Sequence, residues 1–170
     1  MIKYQYTIGR KCFALCQIVA VNPGIAEKLE NFMKNGRFLL ELEPFEKFDT
    51  ELAKMVSGDL HAGELLSQIR QNTCMLQING LDEFHFRPIF RDFLVWKQES
   101  EYTVEQQRAL YSRGGLYFEL HENYAKALEY YSKSSDRAKV SELLIKTINM
   151  HPGMGHYEDL EQYFFSLSDA

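Results

Sequence analysis

Cysteine is scarce in this chain: Cys12, Cys16 and Cys74 are the only three among 170 residues. So odd and sparse a set excludes a disulfide framework and points to a reducing interior. Four prolines and ten aperiodic glycines fit neither a fibrous repeat nor a low-complexity disordered chain. Long apolar runs are missing too. The stretch from Cys12 to Val21 is broken by Gln17 and falls far short of the roughly 18 apolar residues of a membrane span. Met1-Ile2-Lys3-Tyr4 opens no secretory signal, and no small-residue cleavage site follows the apolar stretch, so a soluble cytoplasmic protein with no membrane partner is expected. Positive charge is in deficit as well. Nineteen Lys and Arg stand against twenty-four Asp and Glu, for a formal charge of −5. The basic residues do not cluster, so the electrostatic footprint of a phosphate-backbone binder is lacking.

What is present suits a packed protein. Apolar residues make up 45% and aromatics 14% of the chain, enough for one domain or two small ones. Asn22-Pro23-Gly24 punctuates the start, and Ile25, Leu29, Phe32 and Met33 follow at helical spacing, with Asn35-Gly36 as a stop. A second helix is expected from Arg37 to Glu43, with Phe38, Leu39 and Leu42 on one face. Asp49 is placed to cap a helix carrying Leu52, Met55 and Val56 that ends at Ser57-Gly58. His61-Ala62-Gly63 leads into another with Leu65, Leu66 and Ile69, closed by Asn72. The period then changes from helical to alternating. Residues 73–78 read as a strand, Asn79-Gly80-Leu81-Asp82 as a turn, and Glu83-Phe84-His85-Phe86 as the returning strand. Three short helices followed by a hairpin is the order of a winged helix-turn-helix.

From Pro88 onward the pattern is helical, first through Trp96 and then to the end. Thr103-Val104-Glu105-Gln106 is a capping box for a helix running to about Leu120. Tyr124, Ala127, Leu128 and Tyr131 mark a helix to Lys133. Another follows Ser135-Asp136 with Val140, Leu144, Thr147 and Ile148. His151-Pro152-Gly153-Met154-Gly155-His156 breaks the chain before a last stripe of Tyr157, Leu160, Phe164 and Leu167. The expected organisation is a lead-in with one helix over 1–36, a winged-helix-like arm over 37–97 and an antiparallel helical-repeat array over 98–170.

Two stretches carry a family resemblance. Gly115, Phe118, Tyr124, Ala127 and Tyr131 have the relative spacing of a tetratricopeptide repeat. There Gly115 would let two helices approach, with Ala127 as the small residue opposite it. Ser134 stands where a second alanine is usual. Upstream, Phe38-Leu39-Leu40, Phe45, the run Leu52-Ala53-Lys54-Met55-Val56-Ser57-Gly58 and Leu65-Leu66 precede the run Phe86-Arg87-Pro88-Ile89-Phe90-Arg91-Asp92-Phe93-Leu94. Together these resemble the winged-helix arm before the helical-repeat sensor of the MalT-like, LuxR-type ATP-dependent transcription regulators. The resemblance covers residues 38–136. Phe86, Pro88, Phe90, Phe93, Leu94, Gly115, Phe118, Tyr124, Ala127 and Tyr131 carry it, in packing roles.

That family also has a phosphate-cradling Walker A loop and a C-terminal DNA-reading helix-turn-helix. Gly9-Arg10-Lys11 has neither the second glycine nor the hydroxyl residue of such a loop, and the chain ends at Leu167-Ser168-Asp169-Ala170 inside a helical pattern. The chain therefore looks like the middle of such a regulator, with ATP expected only in an upstream domain and no cofactor or metal in this segment. The resemblance implies a non-catalytic signalling segment whose partners are neighbouring domains and a protein or small-molecule effector. A free-standing tetratricopeptide-like adaptor remains the alternative. In a repeat array the first helix of a pair lines the concave face, which nominates Ser112, Leu116 and Glu119 as groove residues.

Other candidates are weaker. DNA binding by the winged helix is disfavoured, because its third helix carries only Arg70 as a cation and Asp82 and Glu83 sit at the wing. Cys12 and Cys16 lack the further ligands that zinc requires. His85 points away from the face of Phe84 and Phe86 and has no catalytic partner nearby in sequence. Tyr111, Tyr117, Tyr124, Tyr130 and Tyr131 read mainly as inter-helical filling, with Tyr117 and Tyr130 off the packing positions and open to a surface role.

Overall fold

The computed structural model describes residues 36–72, 75–80, 82–150 and Tyr163. Seven helices and one two-stranded antiparallel sheet occupy residues 36–150, so the chain is mostly helical. The lead-in helix, Cys12, Cys16 and Cys74, the 151–156 connector and all four residues of the last stripe lie outside the described residues. The chain divides into two compact units, Met1–Tyr102 and Thr103–Ala170.

In the first unit, helix α1 covers residues 36–42. Gly36 is helical and buried in the helix expected from Arg37, and the lead-in helix it was expected to close lies outside the described residues. Phe38, Leu39, Leu40 and Leu42 are all buried just after it, and that apolar density outweighs glycine's local preference. Pro44 ends this helix close to the expected Glu43, since a residue before proline is driven out of the helical region. Helix α2, Thr50–Ser57, begins as expected: Asp49 Oδ1 accepts from Leu52 N at 2.7 Å. Gly58, at φ +72°, ends it by donating to Lys54 O. Helix α3 spans Ala62–Asn72 and buries Ala62, Leu66 and Ile69.

Strands β1, Leu76–Asn79, and β2, Glu83–Phe86, pair antiparallel with Leu76 opposite Phe86 and Ile78 opposite Phe84. Leu76, Phe84 and Phe86 are buried, while Gln77 and His85 occupy the other face and share a 2.9 Å hydrogen bond. Alternation of side chains across the pleat produces this division. Phe48, between α1 and α2, forms a bridge on the second edge of β2, exchanging backbone hydrogen bonds of 3.0 and 2.8 Å with Phe84. Its ring packs 5.1 Å from Phe86, which meets Phe90 edge-on at 5.7 Å.

Helix α4, Pro88–Glu101, has proline in its first turn, where the missing N–H costs nothing. It buries Phe90, Leu94 and Gln98 at four-residue spacing. Gln98 is tolerated inside because its Nε2 donates to Leu40 O at 2.7 Å. The helix continues five residues past the Trp96 limit of the apolar pattern, and Lys97 and Glu101 pair across its last turn.

The second unit opens with the expected capping box: Gln106 N donates to Thr103 Oγ1, and Thr103 N to Gln106 Oε1. Helix α5 is Val104–Leu120, α6 is Tyr124–Lys133 and α7 is Arg137–Met150. Consecutive helices pack on each other. Contacts step from Phe118 with Lys126 to Tyr111 with Tyr130, so α5 and α6 run antiparallel. Ala127, Leu128, Tyr131, Val140, Leu143 and Leu144 fill the space between helices, each leucine worth about 1.5–3 kcal/mol of burial. A Cβ on Gly115 would lie 2.6 Å from the Tyr131 ring. The close approach at Gly115 is therefore real, but the nearest side chain there is Tyr131 and not Ala127. Tyr117 and Tyr130 are buried, which removes their surface role. Tyr130 stacks on Phe118 at 5.2 Å, and Tyr117 meets Phe118 edge-on at the same separation. Ser134, in place of the usual alanine, stays buried because its hydroxyl donates to Tyr131 O at 2.7 Å.

Candidate functional site

The groove residues nominated by the sequence lie on α5. Its inward side is set by Leu110, Gly114 and Phe118, which leaves Ala109, Ser112, Leu116 and Leu120 on the opposite side at helical spacing. Leu116 is 43% and Leu120 63% exposed, while Ser112 is half-buried. One exposed leucine is ordinary in a folded protein. Two on successive turns of one helix face make a continuous apolar strip, the kind of surface another molecule can cover.

Glu119 borders this strip but is already engaged. Its Oε2 accepts from Tyr131 Oη at 2.7 Å, and its Oε1 lies 3.8 Å from Lys146 Nζ on α7. Lys146 also sits 5.2 Å above the Tyr124 ring. One carboxylate thus ties all three helices together. Burial, and then the hydrogen bond to Glu119, push the Tyr131 phenol well above the usual tyrosine value. Lys139 is raised by its hydrogen bond to Glu142 and then by the charge of Glu119. Ile145, beside Lys146 in sequence, is exposed on α7.

In the first unit the resemblance residues sit on both sides of the β2–α4 junction. Phe86, Phe90 and Leu94 are buried. Pro88 is exposed at the helix start, and half-buried Phe93 lies 6.2 Å from Phe90 and 6.1 Å from exposed Trp96. In the second unit Gly115, Phe118, Ala127 and Tyr131 are buried and Tyr124 is half-buried.

The hairpin charges have partners that the sequence did not disclose. Asp82 Oδ1 accepts from Thr50 Oγ1 at 2.8 Å, and Glu83 pairs with Lys47 at 2.9 Å. These partners lie more than thirty positions away, and no local signal announces them. Arg70 is exposed on α3. Two buried carboxylates also escaped the sequence reading, each compensated by an arginine: Glu41 by Arg37 at 3.0 Å and Glu43 by Arg91 at 3.7 Å. Arg37 with Glu41 is legible as an i,i+4 pair; Arg91 with Glu43 is not.

Among the described residues, no group of three or more His, Cys, Asp or Glu side chains could hold a metal ion. No described helix is long and apolar enough to cross a membrane. No protein-family model matches the chain, and no curated protein matches it.

Proposed function

We propose that this chain is a non-catalytic signalling and interaction segment of a MalT-like transcription regulator. In this reading the first unit is a winged-helix arm and the second begins a tetratricopeptide-like sensor in the cytoplasm. The observation that carries the functional part is the open strip of Leu116 and Leu120 beside Ser112 on α5. An effector or partner covering that strip in one arrangement of the regulator and not in another would shift the population between them.

Two features support the architecture. The Phe48–Phe84 bridge gives the first unit the order helix, bridging residue, two helices, hairpin, which is the connectivity of a winged helix. The Gly115–Tyr131 contact and the Glu119–Lys146 link from α5 to α7 suit helices stacked as successive repeats. DNA recognition by this arm is disfavoured: Asp82 and Glu83 are held at the hairpin by Thr50 and Lys47, and α3 offers Arg70 as its single cation.

Reading the coding sequence on either side of this segment tests the proposal. A Walker A loop upstream and a helix-turn-helix downstream are expected. An open reading frame with neither would replace the regulator with a free-standing adaptor.

A further inference from the structure

Deamidation at an Asn-Gly step needs an exposed asparagine and a following amide nitrogen that nothing hinders or holds. Two such steps occur here, Asn35-Gly36 and Asn79-Gly80, and they differ in their glycines. Gly36 is buried within α1. Gly80 is exposed beside exposed Asn79, and a Cβ built on it would meet nothing within 4 Å. Among the described residues no hydrogen bond engages the Gly80 N–H. Its φ of +75° places it in the turn, outside the β1–β2 ladder.

We propose that Asn79 is a site of spontaneous deamidation. The Gly80 nitrogen, after losing its proton to solvent base, attacks Cγ of Asn79. The new N–Cγ bond closes a five-membered succinimide as the Cγ–Nδ2 bond breaks, and the amide leaves as ammonia. Water then opens the ring. Cleavage of the N–Cγ bond leaves aspartate at position 79, and cleavage at the main-chain carbonyl leaves isoaspartate. Oxidation states do not change, and one water is consumed for each ammonia released.

The position gives the event a consequence. Asn79 stands directly across the ladder from Glu83, whose carboxylate already uses Lys47. A carboxylate at 79 faces a like charge directly across the ladder, which is destabilising. Isoaspartate also lengthens the backbone by one atom at the last pair of the hairpin, which disturbs its register.

The test is to age the full chain in mildly alkaline buffer and follow the tryptic peptide of residues 71–91 by fragmentation mass spectrometry, since the Arg87-Pro88 bond resists trypsin. Isoaspartate is read by methyl transfer from S-adenosylmethionine with an isoaspartate-directed carboxyl methyltransferase. Asn123, which precedes a tyrosine and caps α6, is the internal reference. Position 79 is expected to gain about one dalton roughly tenfold faster than position 123, as an unhindered thermolabile amide should. Asn79→Gln, which removes the five-membered ring path, is expected to abolish both signals. Conversion at 79 no faster than at 123, or an undiminished mass gain in the Asn79→Gln peptide, would overturn the proposal.

Discussion

The two units are held together in opposite ways. In the first, the contacts that close the fold join distant segments: Phe48 bonds to Phe84, Thr50 to Asp82, and Gln98 to Leu40 across a separation of 58 residues. In the second, successive helices do the work, as Tyr131 reaches Glu119 only 12 positions away and caps at Thr103, Asn123 and Asp136 set each start. A fold assembled from neighbours can be read from its sequence; one closed by remote partners can be read only in its pieces.

Breaking the remote closure should cost most. Phe48→Ala removes a 2%-exposed ring packed on Phe84 and Phe86, with an expected loss of about 3–5 kcal/mol by urea denaturation. A loss within experimental error would mean that the bridge is incidental to the first unit. The local closure has a sharper test, because two effects differ in sign. Helix propensity favours Gly115→Ala by about 1 kcal/mol, whereas the Tyr131 ring 2.6 Å from the added Cβ predicts a net loss of about 1–3 kcal/mol. A stabilised variant would show that the ring gives way.

Tyr131→Phe separates packing from the polar tie. Losing the bond to the Glu119 carboxylate should cost about 1.5 kcal/mol near neutral pH. The phenol's folded value is raised, so the folded state retains a proton that the unfolded state releases first. The tyrosine's contribution is therefore complete below the usual tyrosine value of about 10 and is lost as pH climbs from there towards the folded value. Denaturant midpoints measured up the alkaline range should fall in the wild type and fall less steeply in Tyr131→Phe; parallel curves would contradict this. The smallest effect is expected at Thr103→Ala, which opens an exposed capping box for about 1 kcal/mol, measurable as faster amide exchange in the first turn of α5.

Legibility follows the same division. The cap at Asp49, the box at Thr103, the limits of α6 and the pairing of residues 83–86 were all evident, because cap chemistry and periodicity are local properties. Tyr130 misled: its position in the helical period is marginal, and stacking on Phe118 decides its burial. Of the nominated groove residues, Leu116 and Ser112 share an open face as spacing implied. The engagement of Glu119 depends on Lys146, which periodicity does not connect to it.

The most direct test of the functional claim is capture from native extract by the full-length protein carrying Leu116→Glu together with Leu120→Glu. Both side chains face outward, so the helical circular dichroism signal and the denaturation midpoint should match the wild type. A partner retained by the wild type is expected to be lost by this variant, or an effector's binding to weaken at least about tenfold. Equal retention or affinity in both proteins would contradict it.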